Sequence, residues 1–181
     1  MVVLILGAGG CQSEMTPVLA RDVEILRIFE AQGVIPPERM RDARAVAVID
    51  QFEAAAVIGG SGGQGVMVRR LENGWSPPLA LTVVSGSFGA QIGGQGQQAV
   101  LLFTSERAIN SFVEEGAYSM ARAEGTGGSA NASAVSTNAS EDVEAFIRSA
   151  GLFGSASIGG IGFSVDRDLN RRTYGLDGQT A

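Results

Sequence analysis

Every one of the 13 basic residues in this chain is an arginine. Five of them, Arg39, Arg41, Arg44, Arg69 and Arg70, fall in two short runs. A guanidinium presents a planar fork of donors that matches phosphate geometry, so a cluster of them can hold a lipid headgroup on an otherwise acidic molecule. The opposing reading is surface pairing with Glu38, Asp42 or Glu72, the fate of most exposed arginines. Lysine and histidine are absent, and the one cysteine is Cys11. A histidine base, a lysine Schiff base, a structural zinc site and an internal disulfide are therefore excluded. No catalytic residue, metal ligand or cofactor is assigned.

Three motifs invite an enzymatic or metal-binding reading and fail on context. Gly60-Ser61-Gly62-Gly63-Gln64-Gly65 matches the dinucleotide fingerprint, but that motif must open a helix, and Val66-Met67-Val68 continues as a strand. Gly59-Gly60-Ser61-Gly62-Gly63 matches a nucleophile elbow, which needs a base to take the serine proton. Asp166-Arg167-Asp168-Leu169-Asn170 starts like a calcium loop. Arg171 stands where its glycine belongs and Asp177 where its glutamate belongs, so a capped turn is the better account. Asp166 and Asp168 are also the one acidic pair that an enzyme reading could use.

The formal net charge of −6 argues against nucleic acid as a partner, because phosphate neutralisation supplies most of that affinity. It leaves a local arginine cluster as the means of meeting an anionic lipid. The first six residues are apolar, and Ala8-Gly9-Gly10 leads to Cys11. The run is too short to span a bilayer. It resembles the end of a bacterial lipoprotein signal, with Cys11 as the lipidation site, although a basic n-region is missing and Ala8 stands where leucine is usual. The expected organisation is a signal remnant and linker over 1–13, one domain over 14–176 and a loose tail over 177–181.

The elements that must position these residues follow from periodicity. Glu14–Gln32 reads as a helix, with Val18, Leu19, Ile25, Leu26 and Phe29 on its apolar face and Arg21, Asp22, Glu24, Arg27 and Glu30 on the rest. Pro37–Ala43 opens a short second helix. The period then changes to two, predicting separate strands at Arg44–Asp50, Phe52–Gly59, Gln64–Glu72, Leu79–Ser85, Ala90–Gly94 and Gln98–Thr104, with Asn73-Gly74 as a tight turn. Ser105–Glu115 reads as a helix capped by Ser105 and stopped by Gly116. Tyr118–Ala123 reads as a further strand, Asp142–Ser149 as a helix or strand with alternation favouring the strand, Leu152–Ser164 as a strand or hairpin, Gly125–Ser140 as a loop or small-residue strand, and Asp166–Thr173 as a short helix or turn. The 26 glycines lie among apolar runs, which fits bulges and close backbone approach. The fold class expected is α+β: a strongly bent, mostly antiparallel sheet or partial barrel, covered by the N-terminal and mid-chain helices.

Several segments in order resemble the SYLF domain family. They are Ile35-Pro36-Pro37 with the Arg44–Ile49 strand, the glycine-rich turn and strand of Gly59–Arg70, Gly74-Trp75-Ser76-Pro77-Pro78, and Gly86–Gly93. Ala99–Phe103, Arg148–Gly154 and Asp166–Gly175, with Asn170 and Tyr174 in place, continue the series. The resemblance covers roughly residues 20–175, nearly a whole domain. It implies a non-catalytic module that binds phosphoinositides and other anionic phospholipids, and in fungal and animal relatives also actin filaments. Lysines often found near the second helix are absent, leaving Arg41 and Arg44 as candidate substitutes. The functional expectation is an anionic-membrane-binding lipoprotein facing the periplasm. The alternative is an envelope scaffold that binds a protein partner.

Overall fold

The architecture is that of a computed structural model. It describes residues 15–115, 117–127, 132–133 and 142–175, with the backbone alone at 53–61, 85–95, 113–115, 117–127, 132–133 and 149–162. Cys11, the 177–181 tail and most of the Gly125–Ser140 tract lie outside the described residues.

The chain forms α1 (Met15–Ala31), α2 (Pro37–Asp42), β1 (Ala45–Leu71), β2 (Gly74–Trp75), β3 (Leu79–Phe103), α3 (Glu106–Glu115), β4 (Ala117–Gly127), β5 (Ala132–Ser133), β6 (Val143–Val165) and α4 (Arg167–Tyr174). Among the described residues the six strands make one antiparallel sheet in the order β2-β1-β3-β6-β4, with β5 also on β6. Among the described residues the sheet does not close, so this is the bent α+β architecture that periodicity implies.

The six segments expected as separate strands over 44–104 merge into two, β1 and β3, and the two expected over 142–164 merge into one, β6. β1 is 27 residues long and pairs with β3 from Ala45↔Phe103 to Met67↔Leu79. A straight strand of that length would span roughly 90 Å, several times the radius of gyration of about 16 Å expected for a chain of this size. It therefore folds back on itself. Glycine lets it do so without breaking the hydrogen-bond ladder: Gly60, Gly86 and Gly160 are register partners across β1, β3 and β6, and Ala121 of β4 completes the row. A register shift between Ala56 and Ile58 adds a local irregularity. Past the bend the two halves of β1 touch. A side chain at Gly65 would strike the Val48 carbonyl oxygen, and one at Gly63 would lie 2.6 Å from Gln51 Cβ.

Folding back puts one face of the ribbon inside. Ala45, Ala47 and Ile49 from the first half meet Met67, Leu81 and Val83 from the second in one buried cluster. Ile109 and Phe112 of α3 join it, with the Phe112 ring 6.0 Å from that of Phe103. The other face carries Val46, Val48, Val100 and Leu102, which pack under Ile25 and Phe29 of α1. Each large apolar side chain buried this way contributes about 1.5–3 kcal/mol.

Local signals bound the helices; Gly116, expected to stop α3, lies outside the described residues. Ser105 Oγ accepts from the Ala108 amide at 3.1 Å, and Asp166 Oδ1 accepts from the Leu169 amide at 2.9 Å. Gly33 and Gly175 take the left-handed conformation after α1 and α4. The Asp166 segment is thus a capped helix start. Its other carboxylate oxygen accepts from Thr82 Oγ1 at 3.1 Å. Asn170 is fully buried and ties α4 to β3: its amide donates to the Ala80 carbonyl at 3.0 Å and accepts from the Ala80 N–H at 2.9 Å. Gly60–Gly65 lies inside β1, so the fingerprint and elbow patterns have no helix to open.

Candidate functional site

The five singled-out arginines gather where α2 meets the ends of β1 and β3. Arg70 donates to the Ala43 carbonyl at 2.9 Å and the Met40 carbonyl at 3.2 Å. Its guanidinium carbon also lies 4.4 Å from the centroid of the Trp75 ring. Arg44 and Arg69 share one carboxylate, Glu106 at the start of α3, at 3.3 and 2.5 Å. Arg39 pairs with Glu144 at 3.2 Å. Arg41 is exposed on α2. The three local carboxylates weighed from sequence, Glu38, Asp42 and Glu72, are thus bypassed among the described residues in favour of Glu106 and Glu144, which come from α3 and β6. These pairs involve half-exposed groups, and such bridges contribute about 0–1 kcal/mol each.

The same surface carries apolar groups. β1 and β2 form a hairpin with Leu71↔Gly74 as its last pair, so Glu72 and Asn73 make the turn and Gly74, at φ 133°, begins the return strand. Leu71 is 51% exposed and Trp75 43%. Beside Trp75 a groove of about 420 Å³ runs between α1, α2 and β1, walled by Leu19, Leu26, Met40, Val46 and Val68.

A second cavity, which the sequence reading missed, opens on the other flank of α1. It measures about 860 Å³ and includes Arg21, Asp22, Asp50, Phe52, Gln64 and Gln98 in its wall. Periodicity places Asp22 among the polar residues of α1, yet it is 2% exposed. Met15, Val18, Asp22, Ile25 and Phe29 form the buried stripe at alternating spacings of three and four; that spacing was the available signal, masked by the charge of its central member. Neither Asp22 carboxyl oxygen has a hydrogen-bond partner among the described residues. Burial pushes this carboxyl up to about 8; the nearby Val66 amide opposes the shift, the Asp50 carboxylate adds to it, and Arg21 opposes it. Arg21 itself is engaged by Asp50 at 2.9 Å. Beneath the cavity floor Gln51 and Gln97, partners in the β1–β3 register, join through their buried side-chain amides.

The architecture defines a class: an α+β domain built on a folded-back antiparallel ribbon, with a basic-and-apolar rim at one end. The chain belongs to the Ysc84 family, described as "Las17-binding protein actin regulator", whose model matches residues 84–181; this is the SYLF family of the sequence resemblance. The chain is 34% identical over 165 residues to Protein YSC84 of Saccharomyces cerevisiae, covering 87% of this chain and 35% of that protein. LAS seventeen-binding protein 3 from the same yeast is 32% identical over 165 residues, with 87% and 36% covered. SH3 domain-containing YSC84-like protein 1 of Xenopus laevis is 30% identical over 149 residues, with 80% and 44% covered. The chain thus spans between about a third and under a half of the length of these curated relatives. No solved structure matches it.

Proposed function

We propose that this chain is a non-catalytic module that binds anionic phospholipid membranes through the α2–hairpin surface. The observation that carries the reading is adjacency: an apolar groove opens directly beside Trp75, and Arg70 lies over that same ring. Arginine forks take headgroup phosphates while Trp75, Leu71 and the groove meet hydrocarbon, the usual division of labour at a membrane interface. Acylation of Cys11, anchoring the chain at the periplasmic face of a bacterial envelope membrane, belongs to the same proposal and rests on the apolar run that precedes that cysteine. It would supply standing attachment, so the domain's own affinity can be modest.

The test is vesicle flotation of the full chain carrying Cys11→Ser, so that no acyl group contributes. Anionic vesicles are expected to carry it and neutral ones not. Arg41→Ala/Arg44→Ala should lower the bound fraction several-fold. Glu106→Gln should raise it, because it frees Arg44 and Arg69. Equal flotation with neutral vesicles, or no response to either variant, overturns the headgroup assignment. The family description and the name LAS seventeen-binding protein 3 favour a second reading, a protein-interaction module. Cosedimentation with actin filaments in the absence of any flotation would establish it instead.

A further inference from the structure

α1 bridges two openings. The larger cavity lies on one flank and the groove beside Trp75 on the other, and Asp22 borders both from the buried side of the helix. Its carboxyl oxygens reach neither: they are sealed from solvent and have no hydrogen-bond partner among the described residues. Buried polar atoms are nearly always hydrogen-bonded, and an ionised carboxylate buried without a donor is so costly that the group keeps a proton instead. Lifting α1 off the sheet returns this carboxyl to water, where it ionises. Docking of the helix is therefore coupled to a proton. The other members of the seam, Met15, Val18, Ile25 and Phe29, are apolar. The seam ends at a hinge. Gly33 takes the left-handed conformation, a Cβ there would meet nothing within 4 Å, and Ile35, 4% exposed, fixes the chain just beyond it. The charged groups that act on Asp22 are Asp50 of β1 and Arg21 of its own helix. Glu30 stands two turns further along the groove wall. β3 brings Ala80, Val100 and Leu102 to the clusters under α1, and α4 brings Leu169 and Tyr174, whose hydroxyl donates to the Pro78 carbonyl at 2.7 Å. Arg21 is the one cation among these groups, and Asp50 already engages it at 2.9 Å.

We propose that α1 is a proton-controlled flap, which lies on the sheet while Asp22 is protonated and swings out on Gly33 when Asp22 ionises, uncovering the apolar strip of Val46, Val48, Val66 and Val100. The direction follows from burial, which raises the carboxyl from 3.8 to about 8. The grip of α1 is full below about pH 4, weakens as pH rises, and changes no further above about pH 8. The uncovered strip continues the groove beside Trp75, so its occupant is lipid hydrocarbon; this last step rests on the membrane reading above, whereas the flap itself does not.

Amide hydrogen exchange of the full chain at pH 5 and pH 8, corrected for the intrinsic rates, tests the flap without any lipid. Protection of the α1 amides should fall at least about tenfold more than that of β3 between the two pH values. Asp22→Asn, which keeps the shape, and Asp22→Leu, which continues the apolar stripe, should each abolish that difference. Equal loss of protection in α1 and β3, unchanged protection of α1, or a pH response that survives both substitutions overturns the proposal. Flotation on anionic vesicles at the same two pH values tests the consequence, with Asp22→Asn reporting every other effect of pH. Binding of the parent relative to this variant should be several-fold higher at pH 8 than at pH 5. A constant ratio overturns the uncovered strip as a lipid contact. Failure of both chains to float at either pH, with the exchange result as expected, overturns the membrane reading and leaves the flap standing.

Discussion

Asp22 lies between Val18 and Ile25 on the buried stripe of α1. An apolar residue there would continue the seam; a carboxyl must stay protonated or bear the cost of burial. Its pKa is raised from 3.8 to about 8, with desolvation as the main cause. The folded chain therefore holds a proton that the unfolded chain gives up above the ordinary carboxylate range. The sign follows: the contribution of Asp22 to stability is greatest below about pH 4, falls as pH rises, and levels off above about pH 8. Asp22→Asn removes this dependence. Urea melts at pH 5, 7 and 9 should show the variant gaining on the parent as pH rises, by an amount on the order of a few kcal/mol at pH 9. Parallel stability curves would show that the carboxyl does not titrate in this way. The arginines teach a related lesson. Their number and type were legible in the sequence, but their partners were not: Arg44 and Arg69 reach Glu106, 62 and 37 residues away, past acids that are near neighbours in sequence.

At the scale of elements, the decisive feature is the fold-back of β1. Period-two alternation identified its strand character, and Asn73-Gly74 located its end to within one residue. The expected strands divide at glycine-rich stretches, although glycine among apolar runs also reads as a sign of bulges and close backbone approach. In the folded ribbon these glycines are points of close approach that keep the ladder continuous. Gly65 and Gly62 test this side by side. A Cβ at Gly65 would fall on the Val48 carbonyl and 3.0 Å from Ile49 Cα, whereas one at Gly62 meets nothing within 4 Å. Gly65→Ala should cost about 1–3 kcal/mol in thermal or urea unfolding, and Gly62→Ala about 0.5 kcal/mol or less in either direction. Equal effects would mean that the two halves of β1 are not in contact at this point.

For the whole molecule, a net charge of −6 opposes any approach to an anionic surface, while the arginine surface favours contact once there. These forces differ in range. The screening length is about 30 Å at 0.01 M salt, 10 Å at 0.1 M and 3 Å at 1 M. Added salt first removes the long-range repulsion and only later the short contacts. Binding to anionic vesicles should therefore rise between about 0.01 and 0.1 M salt and fall toward 1 M. Flotation across that series checks it; a monotonic fall would show that the acidic bulk of the molecule is not felt at the membrane.

The sequence by itself determined the chemistry that is missing, since a chain without histidine or lysine has none of theirs to offer wherever it folds. It also determined the local elements: the helix starts at Ser105 and Asp166, the left-handed stop at Gly33, the alternation of the strands, and the ordered segments that carry the family resemblance. Each of these depends on residues a few positions apart. The tertiary structure alone decided that β1 doubles over, that Asp22 is sealed beneath α1, and that Glu106 and Glu144 take the arginines. Such outcomes rest on contacts between segments tens of residues apart, and burial and pairing across that distance leave no mark in local spacing.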